Sequence, residues 1–191
     1  MVSSGEVSLS SSIYDMPTTR ALVVFPEGNG LHVIESLRRR FDPLAGVIAA
    51  HSTLVFPFAS EISEVELRAH VEQALEGQAP FRVRFDGVSE VEEEYLFLDA
   101  VIGGERLVEL NDRLYAGPLA EHRSTAHVYR PHITLGRIRD SVEREKALSA
   151  ARQMSPVVDE VVRAVHVFRL GENAAIEGDP IPLRLISRAS P

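Results

Sequence analysis

The chain has 191 residues, 45% of them hydrophobic and 25% charged, with no Cys and a formal net charge of −8. The absence of Cys excludes disulfides, thiolate chemistry and Cys-based zinc sites, and no apolar run approaches the ~20 residues of a membrane-spanning helix. The acidic balance argues against a long nucleic-acid footprint, which needs a basic excess to meet many phosphates; a nucleic acid would be engaged at one end or over a few nucleotides.

Residues 1–19 are Ser-rich and polar, without the apolar stretch of a signal peptide, and are expected to be a disordered tail on one domain spanning 20–190. Ala21–Phe25 reads as a strand closed by Pro26 and a Gly28-Asn29-Gly30 turn. Ile34, Leu37 and Phe41 then fall at helical spacing, stopped by Asp42-Pro43, with Arg38-Arg39-Arg40 as the solvated face of the helix end. His51–Phe56 is an apolar strand. Ser63 and Glu66 form a capping box opening a helix with Leu67, Val71, Ala74 and Leu75 on one face. From Phe81 to Asp86 apolar and charged residues alternate as in a half-buried strand.

The same order then recurs. Glu92-Glu93-Glu94 reads as a solvated turn, Tyr95–Ile102 as a strand, and Leu107, Leu110 and Leu114 mark a helix broken by Gly117-Pro118. Tyr129-Arg130-Pro131 leads into a strand from His132. Asp140 caps a helix carrying Ala147, Leu148, Ala151 and Met154, and Val161–Leu170 and Ile181–Ile186 are further strands. Two copies of strand, helix, strand, helix, strand predict an α+β fold: a bilobal, pseudo-twofold duplicated unit with mainly antiparallel sheets lining a central cleft and helices outside. The lobes would be built from about 20–92 and 93–190, with room for strand exchange.

The second strand of each copy carries a matching pattern, His51-Ser52-Thr53-Leu54 and His132-Ile133-Thr134-Leu135. With seven His and five Thr in the chain, chance placement yields roughly 0.2 His-x-Thr pairs, so two at corresponding places are not accidental. In a strand, His and Thr share one face and Leu takes the other. Cleaving a phosphodiester needs a base for the nucleophile and an acid for the leaving oxygen, and imidazole serves as either near neutral pH. Thr53 and Thr134 can donate to the non-bridging phosphate oxygens. Neither motif has a His-x-His, an HExxH or a usefully spaced acid, so no metal or other cofactor is expected.

Arg130 shares the parity of His132 and is a candidate phosphate ligand, whereas Arg137 has the opposite parity and is expected on the other face or at the strand end. Tyr115, Tyr129 and Phe168 are of a type that stacks on bases, but isolated aromatics belong more often to a core, which is the reading adopted for all three. His166, in a strand among apolar residues, is read as core or surface.

The paired His-x-Thr-Leu, with Phe56-Pro57-Phe58 after the first copy and Arg130-Pro131 before the second, resembles the 2H phosphoesterase superfamily over about residues 20–190. Within it the chain is most similar to the bacterial 2′-5′ RNA ligase-like proteins, which include RNA 2′,3′-cyclic phosphodiesterases. That resemblance implies metal-free hydrolysis of 2′,3′-cyclic phosphates to 2′-phosphates, with reversible action on 2′-5′ linkages. It also implies His51 as proton donor, His132 as proton acceptor, and Thr53 and Thr134 as phosphate holders. Ser52 departs from the apolar residue usual in the family and points away from the cleft. The expected partner is an RNA end or a small cyclic-phosphate nucleotide, met by a cytoplasmic monomer without membrane contact. Two alternatives stay open: the same chemistry on a small cyclic nucleotide or an ADP-ribose-derived cyclic phosphate, and a non-catalytic RNA-end binding module. Mere binding, however, has no need of two titratable groups.

Overall fold

The computed structural model describes residues 19–170 and 175–185; the expected tail, save Thr19, lies outside them. In chain order the elements are β1 (Thr19–Val24), α1 (Leu31–Phe41), β2 (Ser52–Ala59), α2 (Glu64–Ala74), β3 (Phe81–Val91), β4 (Tyr95–Ile102), α3 (Gly104–Leu114), a 3-10 helix (Gly117–His122), β5 (His132–Arg137), α4 (Ser141–Met154), β6 (Val158–Val162), β7 (Ala164–Leu170), β8 (Ala175–Glu177) and β9 (Ile181–Pro182). No helix among the described residues is long and apolar enough to cross a membrane.

Local chemistry sets the helix starts. At α2 the Ser63 side chain accepts from the Glu66 amide while the Glu66 carboxylate receives the Ser63 amide, so two orphan donors are satisfied reciprocally. Asp140 caps α4 by accepting from the Glu143 amide. α1 and α3 have no side-chain cap; each instead begins at a left-handed glycine, Gly30 at φ 105° and Gly103 at φ 73°. A Cβ there would lie 2.1 Å from the Val157 carbonyl oxygen or the Arg82 carbonyl oxygen respectively. Only glycine fits either place, and the two places are equivalent in the duplicated unit.

The strands form two antiparallel sheets, β2-β1-β7-β8 with β9 on β7, and β5-β4-β3-β6. Strands are exchanged between the halves of the chain: β3 joins the second sheet and β7 the first. Helices cross as well, α1 packing on β5 and α3 on β2. One core runs through both sheets, from Leu22, Leu54 and Leu110 to Leu98, Ile133 and Ala147. A smaller cluster of Ala21, Val23, Ile48 and Phe168, with Phe25 against it, occupies the helix-free face of the first sheet.

The expected single strand Val161–Leu170 is two strands. The chain breaks at Arg163, so that β6 pairs with β3 in one sheet and β7 with β1 in the other. The counterpart of β3 in the pseudo-symmetry is therefore β7, which lies between β1 and β8 as β3 lies between β4 and β6. The last expected strand is reduced to Ile181–Pro182, held by two register pairs on β7; Ile186 lies outside the described residues.

Candidate active site

The two motif strands, β2 and β5, are edge strands of their respective sheets and lie next to one another. Residues facing each other across an antiparallel ladder share a face. Val23 faces Thr53 and Phe97 faces Thr134, which puts both hydroxyls on the helix-free faces. His51 joins them, its ring 6.3 Å from Phe25, and His132 stacks on Phe97 with ring centroids 3.5 Å apart. Ser52, paired with Val24, turns into the core and is 1% exposed, as its parity requires. The outer edge of β2 is closed by side chains from the second half of the chain. Asn111 Nδ2 donates to the Leu54 carbonyl at 2.7 Å, Tyr129 Oη to the Thr53 carbonyl at 2.9 Å, and the Phe56 amide donates to Tyr115 Oη at 3.0 Å.

Each imidazole is held in the same way. His51 Nδ1 lies 2.8 Å from the Ala49 carbonyl oxygen and His132 Nδ1 lies 2.6 Å from that of Arg130, in both cases two residues back along the chain. A carbonyl only accepts, so Nδ1 carries the hydrogen and Nε2 is left to exchange a proton with a ligand. Burial lowers the proton affinity of both rings. For His132 it draws the pKa from 6.5 down to about 4 against the opposing pull of the Arg130 carbonyl and Asp99, with Arg130 and His51 adding to the fall. For His51 burial is again the largest influence, opposed by the Ala49 carbonyl.

Beneath His51 the sequence reading needs correction. Arg38, expected on a solvated helix face, is 1% exposed; its guanidinium meets Asp42 Oδ2 at 2.9 Å, Glu35 Oε1 at 3.1 Å and the Ile48 carbonyl at 2.9 Å. Carboxylates three residues before and four residues after it on the same helix make that burial tolerable. Arg39 and Arg40 are exposed as expected.

Arg130 lies on the His132 side but is engaged: its Nη2 binds Asp99 Oδ2 at 2.6 Å and Ser89 Oγ at 3.0 Å. Arg137 contradicts its parity. A bulge in the β4–β5 ladder brings Arg137 opposite Tyr95 while Thr134 stays opposite Phe97. The extra residue restores Arg137 to the face of His132, where its guanidinium lies 5.3 Å from the Tyr95 ring. Glu94 joins it there, accepting from Arg137 Nε and Arg139 Nε at 2.8 Å each, so this residue of the acidic turn is an ion-pair partner as well as a turn residue. Arg137 is the last residue of β5, the strand-end place expected of it; only its face departs from the parity, because a periodicity rule carries no signal for an inserted residue.

Tyr115 and Phe168 are core, each 5% exposed, and Tyr129 packs half-buried against the core. His166 is half-buried and meets Phe25 edge-on, with centroids 5.0 Å apart. Phe25 therefore stands between His51 and His166. Among the described residues no three His, Asp or Glu gather as metal ligands would. Two imidazoles bound through Nδ1 and two hydroxyls on the same faces are the groups needed to move two protons around one bound phosphate.

Known proteins are similar to this chain in family and in fold. The family model described as 2′-5′ RNA ligase superfamily matches residues 25–174. A Bacillus pumilus protein named "Putative phosphoesterase" is 26% identical over 156 residues, covering 81% of this chain and 90% of its own length. A Bacillus licheniformis protein of the same description is 24% identical over 159 residues, covering 81% and 91%. In fold the chain is similar to E. coli LigT in apo form, with TM-score 0.54, 14% identity and coverage of 87% of this chain and 95% of that one. The LigT complex with 3′-AMP gives TM-score 0.56, 16% identity and coverage of 86% and 95%.

Proposed function

The chain belongs to the 2′-5′ RNA ligase superfamily, an enzyme family of phosphodiester hydrolysis and ligation, and we propose that this member is a metal-independent phosphodiesterase that opens 2′,3′-cyclic phosphates at RNA ends to 2′-phosphates. The observation that carries the reading is the matched pair of imidazoles, each with Nδ1 on the carbonyl two residues back and Nε2 left to exchange a proton. With Nδ1–H on a carbonyl, Nε2 is the atom of each ring that can give or take a proton, as an acid and a base in one step require. The nucleotide complex of LigT, a protein of similar fold, fits the same reading: 3′-AMP is a nucleotide ending in a phosphate.

In this mechanism Thr53 and Thr134 donate to the non-bridging oxygens and hold the phosphorus between the two strands. His132 Nε2 takes a proton from water as the water oxygen attacks phosphorus. His51 Nε2 gives its proton to O3′ as the P–O3′ bond breaks, leaving a 2′-phosphate. The roles are those that the family resemblance implies. His132, drawn to about 4, is neutral at pH 7 and ready to accept. At His51 burial and Arg38 lower the proton affinity while the Ala49 carbonyl, Asp42 and Glu35 raise it, and the bound phosphate anion raises the proton affinity of both rings. Each proton transfer contributes ~10²–10⁴-fold. The reverse reaction joins ends through a 2′-5′ bond, but water outcompetes an RNA hydroxyl and hydrolysis dominates. The working unit is a monomer acting in the cytoplasm, its single domain spanning 20–190.

The test is chromatography of an oligoribonucleotide ending in a 2′,3′-cyclic phosphate, incubated in EDTA with wild type, His51→Ala and His132→Ala. Conversion to the 2′-phosphate by wild type alone is expected. No conversion by wild type defeats the proposed substrate, and activity surviving in either variant defeats the two-His mechanism.

A further inference from the structure

We propose that Glu35 and Arg38 of α1 are positioning residues for His51, clamping the Ile48–Ala50 segment from which the imidazole hangs and placing a net negative charge behind it; the inference rests on His51 being the proton donor. The clamp is visible atom by atom. Arg38 Nη2 donates to the Ile48 carbonyl at 2.9 Å, the Ala50 amide donates to Glu35 Oε1 at 2.5 Å, and the carbonyl between them, that of Ala49, is the one His51 Nδ1 binds at 2.8 Å. Both neighbours of the carbonyl that fixes the His51 tautomer are therefore tied to one helix. Arg38 is itself immobilised through three nitrogens, Nη1 on Glu35 and Nε on Asp42 completing the set. Asp42 in turn receives the Leu44 amide at 3.0 Å, which turns the chain after the helix.

A buried ionic cluster of this kind is a poor source of stability, because desolvation offsets the attraction. Its placement explains it better. Around His51 the charged groups on α1 are Glu35, Asp42 and Arg38, two carboxylates against one cation. The titratable groups from the other strands are His132 on β5 and His166 on β7, the latter across the Phe25 ring. His132 has a balanced surrounding instead, Asp99 matched by Arg130. Two motifs alike in sequence and hydrogen bonding are thus set apart by what lies behind them. Glu35 and the C-cap Asp42 raise the proton affinity of His51 against burial and Arg38, which lower it; raising it is what a proton donor requires. α1 also reaches the second motif strand: Gly136 of β5 lies so close that a Cβ there would be 2.8 Å from Phe41 Cβ. One helix therefore bears on the strands of both imidazoles.

The decisive variant is Glu35→Gln, which keeps an oxygen for the Ala50 amide and Arg38 while removing the charge. NMR titration of the His51 ring in the free enzyme is expected to show its pKa lowered by about half a unit or more. The alkaline limb of kcat/KM on a cyclic-phosphate dinucleotide should move to lower pH with it. His132 serves as the internal reference and should titrate as in wild type. Arg38→Lys keeps the cation but cannot reach three partners at once, so kcat should fall about tenfold with KM and the His51 titration close to wild type. An unmoved His51 titration in Glu35→Gln overturns the electrostatic part, and wild-type kcat in Arg38→Lys overturns the clamp. If the wild type turns over no cyclic phosphate, the functional reading fails by itself, while the titration still decides whether α1 governs His51.

Discussion

His132 lies flat against Phe97, the ring centroids 3.5 Å apart and the planes 16° from parallel. The stack and the Nδ1 hydrogen bond to the Arg130 carbonyl fix both the tilt and the rotation of the imidazole, so Nε2 has one direction left. Replacing Phe97 with Leu keeps an apolar neighbour but frees the tilt. Steady-state kinetics should show kcat reduced about tenfold with KM little changed, since misorientation acts on proton transfer more than on binding. A rise in KM alone would show that the stack serves substrate contact instead.

Stability should depend on pH through the same ring. His132 titrates at about 4 in the folded protein against an ordinary 6.5. Between those values the unfolded chain binds a proton that the folded one does not. Stability is therefore fully present above pH 6.5 and is lost as pH falls toward 4, by an amount on the order of 2–3 kcal/mol. His51, also lowered, adds in the same direction. Urea unfolding of wild type and His132→Gln at pH 7 and pH 4.5 checks this, the variant losing less on acidification.

Arg130 and Asp99 act on His132 with opposite signs, the cation lowering its proton affinity and the carboxylate raising it. Arg130→Ala removes the cation and leaves Asp99 uncompensated. The pKa of the base should rise, and the acidic limb of kcat/KM should move to higher pH. Asp99→Asn should move that limb the other way. Identical limbs in the two variants would show that neither charge is felt at His132.

Gly136 has no room for a methyl group. A Cβ would lie 2.8 Å from Phe41 Cβ and 3.0 Å from the Phe41 carbonyl oxygen. The second of these is backbone, so a side-chain shift cannot relieve it. Gly136→Ala should cost about 1–3 kcal/mol in a thermal melt and should also lower kcat, because the strand that moves is the one carrying His132.

Much of this was legible in the sequence where a residue's neighbours along the chain decide its state. The spacing of Ile34, Leu37 and Phe41 marked α1, and Ser63 with Glu66 marked the start of α2, because helix faces and caps are set within one or two turns. The duplicated His-x-Thr-Leu placed four side chains on two strands through the alternation of a pleat. Legibility ended where a distant partner decides. The bulge that returns Arg137 to the His132 face costs no residue with a recognisable signature. Arg38 looked solvated as one of three consecutive arginines, although Glu35 and Asp42 stood at helical spacing on either side of it. Nothing around Arg163 forbids a continuous strand; the chain divides there because β3 and β1, far apart in sequence, each take a share.

That division at Arg163 has a consequence for how the protein comes into being. β7 lies in the middle of the first sheet, hydrogen-bonded on one side to β1, which precedes it by most of the length of the chain. During synthesis β1 and β2 emerge well before β7, and one flank of β1 stays unpaired until β7 has left the ribosome. Pairing between ends so distant is entropically slow, and an unpaired apolar strand is a template for unwanted association in the meantime. The nascent chain is thus expected to hold the His51 half open and exposed to chaperones until β7 closes it.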